Sequence, residues 1–138
     1  FNHTAIATAL AKINVVYTMA DKEAVSIPFI HIDDASFLKR TWRYDADVNG
    51  WLCPLDHDSI EKSLTVWVRS KVIDKEDQMH SIIHSAHREY FYYGKSVFNE
   101  KKLMFESLFE KFGVVPHFIE QPLPSYDQLR DQWHEAGK

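Results

Sequence analysis

The sequence predicts an α+β fold in which a short helix-and-strand piece, residues 1–45, is followed by a mainly α-helical piece, residues 46–138. Two contrasts carry this. Before Asp45, β-branched and aromatic residues alternate with turn-forming polar clusters, whereas beyond it four apolar-periodic runs each open on a helix-capping residue. Size sets the third constraint. At 138 residues, 45% apolar and 14% aromatic, the chain has material for one core and too little for a second independent one.

Within the first piece, "NHTAIATALAKIN" places Ile6, Leu10 and Ile13 at helical spacing, and Asn2 or Thr4 can cap that helix. "NVVYTM" favours a strand, broken by the polar "ADKE". "AVSIPFIHI", with Pro28 fitting an edge position, and "ASFLKRTWRYD" then read as an antiparallel pair joined through Asp33 and Asp34. On such a strand Lys39 and Arg43 share one face with Phe37 and Thr41, while Arg40 shares the other with Leu38, Trp42 and Tyr44. Cations would therefore leave both faces.

The second piece opens with "DADVNGWLCPLD", read as a connector from its turn residues. Asp58 followed by Glu61 predicts a capping box before "IEKSLTVWVRS", and Asp74 an N-cap before "KEDQMHSIIHSAHREYFYY". Gly94 separates that helix from "KSVFNEKKLMFESLFEKF", which Gly113 ends. Ser125 and Gln128 cap "YDQLRDQWHEA". There are no internal repeats and no low-complexity tracts.

Charge and cysteine usage narrow the function classes. A net charge of −4 gives no global basic field, so contact with nucleic acid must come from a local patch. The single cysteine, Cys53, excludes an internal disulfide framework and a Cys-rich zinc site, and fits a reducing compartment. No run approaches the length of a transmembrane segment and no signal peptide is visible. The sequence starts at Phe1 without Met, which suggests a piece cut from a longer polypeptide.

Three constellations could carry chemistry. His80, His84 and His87 fall at i, i+4 and i+7 and could share a metal, but no Glu lies between them in an H-E-x-x-H pattern and a fourth ligand is missing; a His-rich helix face explains them better. Asp33 and Asp34 have the form of a metal-holding carboxylate pair, yet adjacent aspartates are ordinary turn residues and no third carboxylate precedes Asp21. Lys22, Lys39, Arg40 and Arg43 form a basic set interleaved with aromatics. Such a set either snorkels from a solvated strand or holds a nucleic-acid backbone.

The order of these motifs favours the second alternative. "YTMADK", a strand, "FLKRTWRYD" and then "WLCPLDHDSIEKSL" resemble the end of the RNA-dependent RNA polymerases of picorna-like positive-strand RNA viruses. The stretch from Tyr17 to Lys22 resembles motif D of the polymerase palm, and Phe37 to Arg40 resembles motif E, the primer grip. Arg43 and Asp45 after the grip, Pro54 and Leu55 opening the thumb, Ser59 and Ile60 in its first helix, Glu89 to Gly94, and "LPSYDQLRDQW" also match, so the resemblance covers essentially the whole chain. It implies that residues 1–45 are the end of a palm and residues 46–138 a thumb.

By the same resemblance, Lys22 matches the family lysine that acts as general acid toward the departing pyrophosphate; an ammonium is chemically suited to that step and also neutralises charge there. Lys39, Arg40 and Arg43 would serve primer and RNA binding, with Lys71, Lys75, Arg88 and Lys95 as further backbone contacts. Partners would be template-primer RNA, nucleoside triphosphates, and upstream fingers and palm of the same polyprotein, working in the host cytoplasm at membrane-associated replication sites. The chain has no Gly-Asp-Asp strand and no earlier Asp-rich palm strand, so Mg2+ or Mn2+ would be bound by residues absent from it. Alone it should not polymerise RNA. A non-catalytic helical RNA- or protein-binding module is the alternative from another class, and a His-rich metal protein a weaker third.

Overall fold

The computed structural model describes residues 2–113 and 122–137. Its elements in chain order are α1 (His3–Ala11), β1 (Arg43–Asp45), β2 (Gly50–Leu52), α2 (His57–Thr65), α3 (Lys75–Phe91), α4 (Lys95–Phe112) and α5 (Tyr126–Ala136), with one 3₁₀ turn at Ile32–Asp34. This is an α+β fold of mainly helical character, as the sequence predicts.

The strands are not those the alternation suggested. β1 pairs antiparallel with β2 in the register Arg43↔Leu52, Tyr44↔Trp51 and Asp45↔Gly50, so the supposed connector contains a strand. Asp45 shapes the intervening turn by accepting from the backbone N–H groups of Asp47 (2.9 Å) and Val48 (3.4 Å). Before Arg43 no described segment forms a named strand, and the expected pairing of "AVSIPFIHI" with "ASFLKRTWRYD" does not occur. The reason is partnership. β-propensity measures fit to a pleated, half-buried surface, and no described residue before Asp45 is buried.

Helix termini follow local chemistry closely. Asn2 caps α1 through Ala5 N–H (2.9 Å), Asp74 caps α3 through Asp77 N–H (2.9 Å), and Ser125 with Gln128 forms a complete capping box on α5. α2 begins earlier than the Asp58–Glu61 pattern suggests, because Asp56 takes the cap and accepts from Ser59 N–H and Oγ–H. It also stops at Thr65, where the β-branched and aromatic run Thr65-Val66-Trp67-Val68 turns extended. The amide of Gln78 holds the following loop, donating to the Val68 carbonyl (2.7 Å) while its oxygen accepts from Trp67 Nε1–H and Ser70 N–H.

α3 is the central element and packs against α2, α4 and α5. Its buried face, including Ile83, Ala86, Tyr90 and Phe91, meets Phe98 and Phe105 of α4, Ile60 of α2, and Tyr126 and Leu129 of α5. Val48 and Leu52 seal one side, and the Trp133 ring lies close over Gly50, where a Cβ would stand 2.5 Å from it. The hairpin therefore belongs to the helical core.

Gly94, between α3 and α4, has φ 97° and ψ 166°, a region open essentially to glycine alone, and lies beneath the Arg43 guanidinium. Gly94→Ala should lower stability by about 1–3 kcal/mol, read as a lower urea midpoint with an unchanged m-value.

Candidate nucleic-acid interface

Residues 37–40 form a two-residue hairpin rather than a strand. Phe37 and Arg40 exchange both backbone hydrogen bonds at 3.0 Å, and Leu38 (φ 52°) and Lys39 (φ 63°) occupy the left-handed region. Such a turn ordinarily uses Asn or Gly; two consecutive side-chain-bearing residues there are strained by about 1–2 kcal/mol each. The surroundings hold it in place. The Lys39 carbonyl accepts from Asp56 N–H (2.7 Å), the Pro54 carbonyl accepts from Thr41 N–H (3.1 Å), and Arg40 bridges to Leu55.

The predicted cations divide into two kinds. Arg40 points inward: Nη2 donates to Glu89 Oε1 (2.7 Å), and Nη1 donates to Glu89 Oε2 and the Cys53 carbonyl (both 2.9 Å). Its guanidinium lies 5.9 Å from the centre of the Tyr92 ring. The hydrogen bond to Glu89 raises the Arg40 pKa against the opposing effect of burial. Arg43 also serves the fold, pairing with Asp45 Oδ2 (2.8 Å) and donating to the Tyr92 carbonyl (3.1 Å). Lys39 is exposed at the turn's tip, its ammonium 3.4 Å from Ser59 Oγ. Lys22 is exposed beside a turn formed by Asp21, distant in sequence from the clamp.

Lys71 is exposed on the loop before α3, and Lys75 is exposed at that helix's first residue. Arg88 donates to Gln132 Oε1 (3.2 Å), while Lys95 pairs with Asp127 (3.5 Å) and sits 5.5 Å from the Tyr126 ring centre. These four are spread over the helical surface, and the hairpin is where several functional candidates meet. Glu89 is the residue that reading by motif chemistry did not assign a role. Its signal in the sequence was a carboxylate beside the buried stripe of α3, flanked by Ala86 and Tyr90.

The two metal readings fare differently from the basic one. Asp33 and Asp34 lie exposed in the 3₁₀ turn, with His31 pairing to Asp33 (3.1 Å). His80 stacks on Phe109 (ring centres 5.1 Å apart), and His87 lies fully buried against Phe98 (4.2 Å) with its Nε2–H donating to the Pro124 carbonyl (2.8 Å). Among the described residues, the one trio of acidic or His/Cys donors close enough to share an ion is His57, Asp58 and Glu61 on the α2 surface. A separate apolar groove of about 500 Å³ runs between α2, α3 and α4, lined by Trp67, Met79, Ile83, Met104, Phe105 and Phe109.

Fold and site together define a small α+β segment that presents a strained basic turn on a helical bundle. The whole chain is similar to part of the RNA1 polyprotein of Satsuma dwarf virus, at 31% identity over 138 residues, 100% of this chain and 6% of that polyprotein. It is also similar to part of the replicase polyprotein of cricket paralysis virus, at 28% identity over 116 residues, 84% of this chain and again 6% of the relative. No family model matches it. The chain thus spans about 6% of the length of the curated relatives it matches, both polyproteins of picorna-like viruses.

Two outcomes follow from this geometry. Arg40→Ala should cost about 1–2 kcal/mol, the lower part of the range for charged hydrogen bonds because the pair is partly exposed; Arg40→Lys should recover only a fraction, since an ammonium lacks the two-pronged fork. Urea unfolding measures both. Burial lowers the His87 pKa, outweighing the Pro124 hydrogen bond, and burial likewise lowers that of His80. As pH falls below about 6.5 the unfolded chain binds protons first, so stability is lost from there down to the depressed folded-state pKa and then levels off. Unfolding midpoints at pH 7.5 and 5.5 should differ in that direction, and His87→Phe should flatten the difference.

Proposed function

We propose that this chain is the C-terminal palm and thumb portion of a viral RNA-dependent RNA polymerase, with residues 1–45 ending the palm and residues 46–138 forming the thumb. The observation that carries the reading is similarity along the whole chain to a picorna-like viral polyprotein, together with a second relative named a replicase polyprotein. The motif order from Lys22 through the Phe37–Arg40 turn supports the finer assignment.

In this reading Lys22 protonates the pyrophosphate leaving group as the nucleotide is added, and its exposed position suits a group that acts on a ligand. Lys39 meets the phosphates of the primer strand from the tip of the turn. Arg40 and Arg43 hold the turn and the adjoining hairpin on the thumb, so their part in RNA binding is indirect. Nucleotidyl transfer also uses Mg2+ or Mn2+. The described residues do not fit that role: Asp33 and Asp34 belong to an exposed turn, and the carboxylates of the His57, Asp58 and Glu61 trio lie on the exposed surface of α2. The metal is therefore assigned to residues outside this chain. Template-primer RNA, nucleoside triphosphates and the remaining palm and fingers are the proposed partners, at replication sites in the host cytoplasm. No described helix is long and apolar enough to cross a membrane.

The test is made in the complete polymerase. Lys22→Leu should slow single-nucleotide incorporation by roughly 10²-fold, the lower end for general acid catalysis, while leaving the primer-template Kd close to wild type. An unchanged incorporation rate removes Lys22 from the mechanism. A complete polypeptide that binds RNA but incorporates no nucleotide with any metal would favour the non-catalytic binding module.

A further inference from the structure

We infer that Glu89 is a positioning residue for the RNA-contacting turn, acting through Arg40 on the placement of Lys39; this rests on the reading of that turn as a primer contact. Leu38 and Lys39 both occupy the left-handed region without glycine or asparagine, so the turn does not hold its shape through local preference. Its two ends are tied instead. One tie is backbone pairing to residues 54–56, and the other is the two-pronged bond from Arg40 to Glu89, at 2.7 and 2.9 Å, on the central helix of the bundle.

The geometry separates the charge that binds from the charge that aims. The Glu89 carboxylate is occupied on both oxygens by Arg40, and Arg40 is further fixed by the Cys53 carbonyl and the Tyr92 ring. Arg40 is thereby withdrawn from solvent, with a third of its side chain exposed, while the adjacent Lys39 is displayed outward. A planar guanidinium in a bidentate pair fixes orientation as well as distance, which a single ammonium contact cannot do. Strain concentrated at Leu38–Lys39 is what such a clamp would hold in a functional conformation. Because Glu89 lies on α3, any shift of that helix against the hairpin moves the Lys39 ammonium.

The experiment measures binding of a 5′-fluorescein-labelled primer-template RNA to the complete polymerase between about 50 and 200 mM salt, for wild type, Lys39→Ala, Glu89→Gln and the double variant. Glu89→Gln should raise Kd about fivefold and reduce the salt slope, as Lys39→Ala does, and should add little when Lys39 is already alanine. A residue that merely supported the fold would weaken binding equally in both backgrounds. That result, or wild-type binding by Glu89→Gln, overturns the inference while leaving a Lys39 effect and the primer-grip reading intact. Loss of both effects, with Lys39→Ala binding as wild type, overturns the two together. Should Glu89→Gln fold poorly, Arg40→Lys tests the same coupling, since it keeps the charge but loses the fork.

Discussion

The arrangement depends on the ion pair between Arg40 and Glu89. It joins the strained Leu38–Lys39 turn to the helix around which the rest of the core is packed. Without it, a hairpin built on Leu38 and Lys39 in the left-handed region would rest on a few backbone hydrogen bonds at the bundle's edge. With it, the turn shares the rigidity of α3, and α3 in turn is fixed by α2, α4 and α5. The partial exposure of the pair limits what it contributes to stability, but directional bonding does not weaken with exposure in the same proportion. The clamp is therefore better suited to setting geometry than to holding the fold.

How much of this was legible in the sequence varied with the range of the interaction. Asp74, Ser125, Gln128, Gly94 and Gly113 act on residues a few positions away, and the helix ends they mark lie close to where they were expected. The hairpin was hidden because Leu38 and Lys39 lack the Gly or Asn that announces a left-handed turn. β2 was hidden in a segment whose Asp, Asn, Gly and Pro content reads as connector, although Val48 and Leu52 within it reach the core. Glu89 lay furthest from view. Its partner is 49 positions away, and its one local mark, a place beside the buried stripe of α3, does not name that partner.

The amino-terminal part poses the opposite problem. No described residue before Asp45 is buried, yet Val16, Val25, Phe29, Phe37 and Leu38 expose most of their apolar surface. α1 has no buried residue, and its described ties include Tyr17, Ser26 and Pro28. The described fold leaves these side chains uncovered. The strand-like composition of residues 14–42 agrees: β-branched and aromatic side chains gain their preference from a neighbouring pleated surface, which this segment lacks within the described residues.

These contrasts also account for cations leaving both faces of "FLKRTWRYD". On a strand, neighbouring side chains must diverge and each charge must find its own solvent. A left-handed two-residue turn changes the geometry: Lys39 stands at the tip, while Arg40, one residue later, already belongs to the pairing edge and faces the bundle. Arg43 then starts β1 and closes on Asp45 above Gly94. Two arginines, whose forks match a carboxylate and a backbone carbonyl, do the anchoring, and the lysine, a flexible point charge, stays exposed with a long contact to Ser59 Oγ. Residue choice and backbone shape thus agree on one division of roles, and that agreement is stronger support for a functional turn than the count of positive charges.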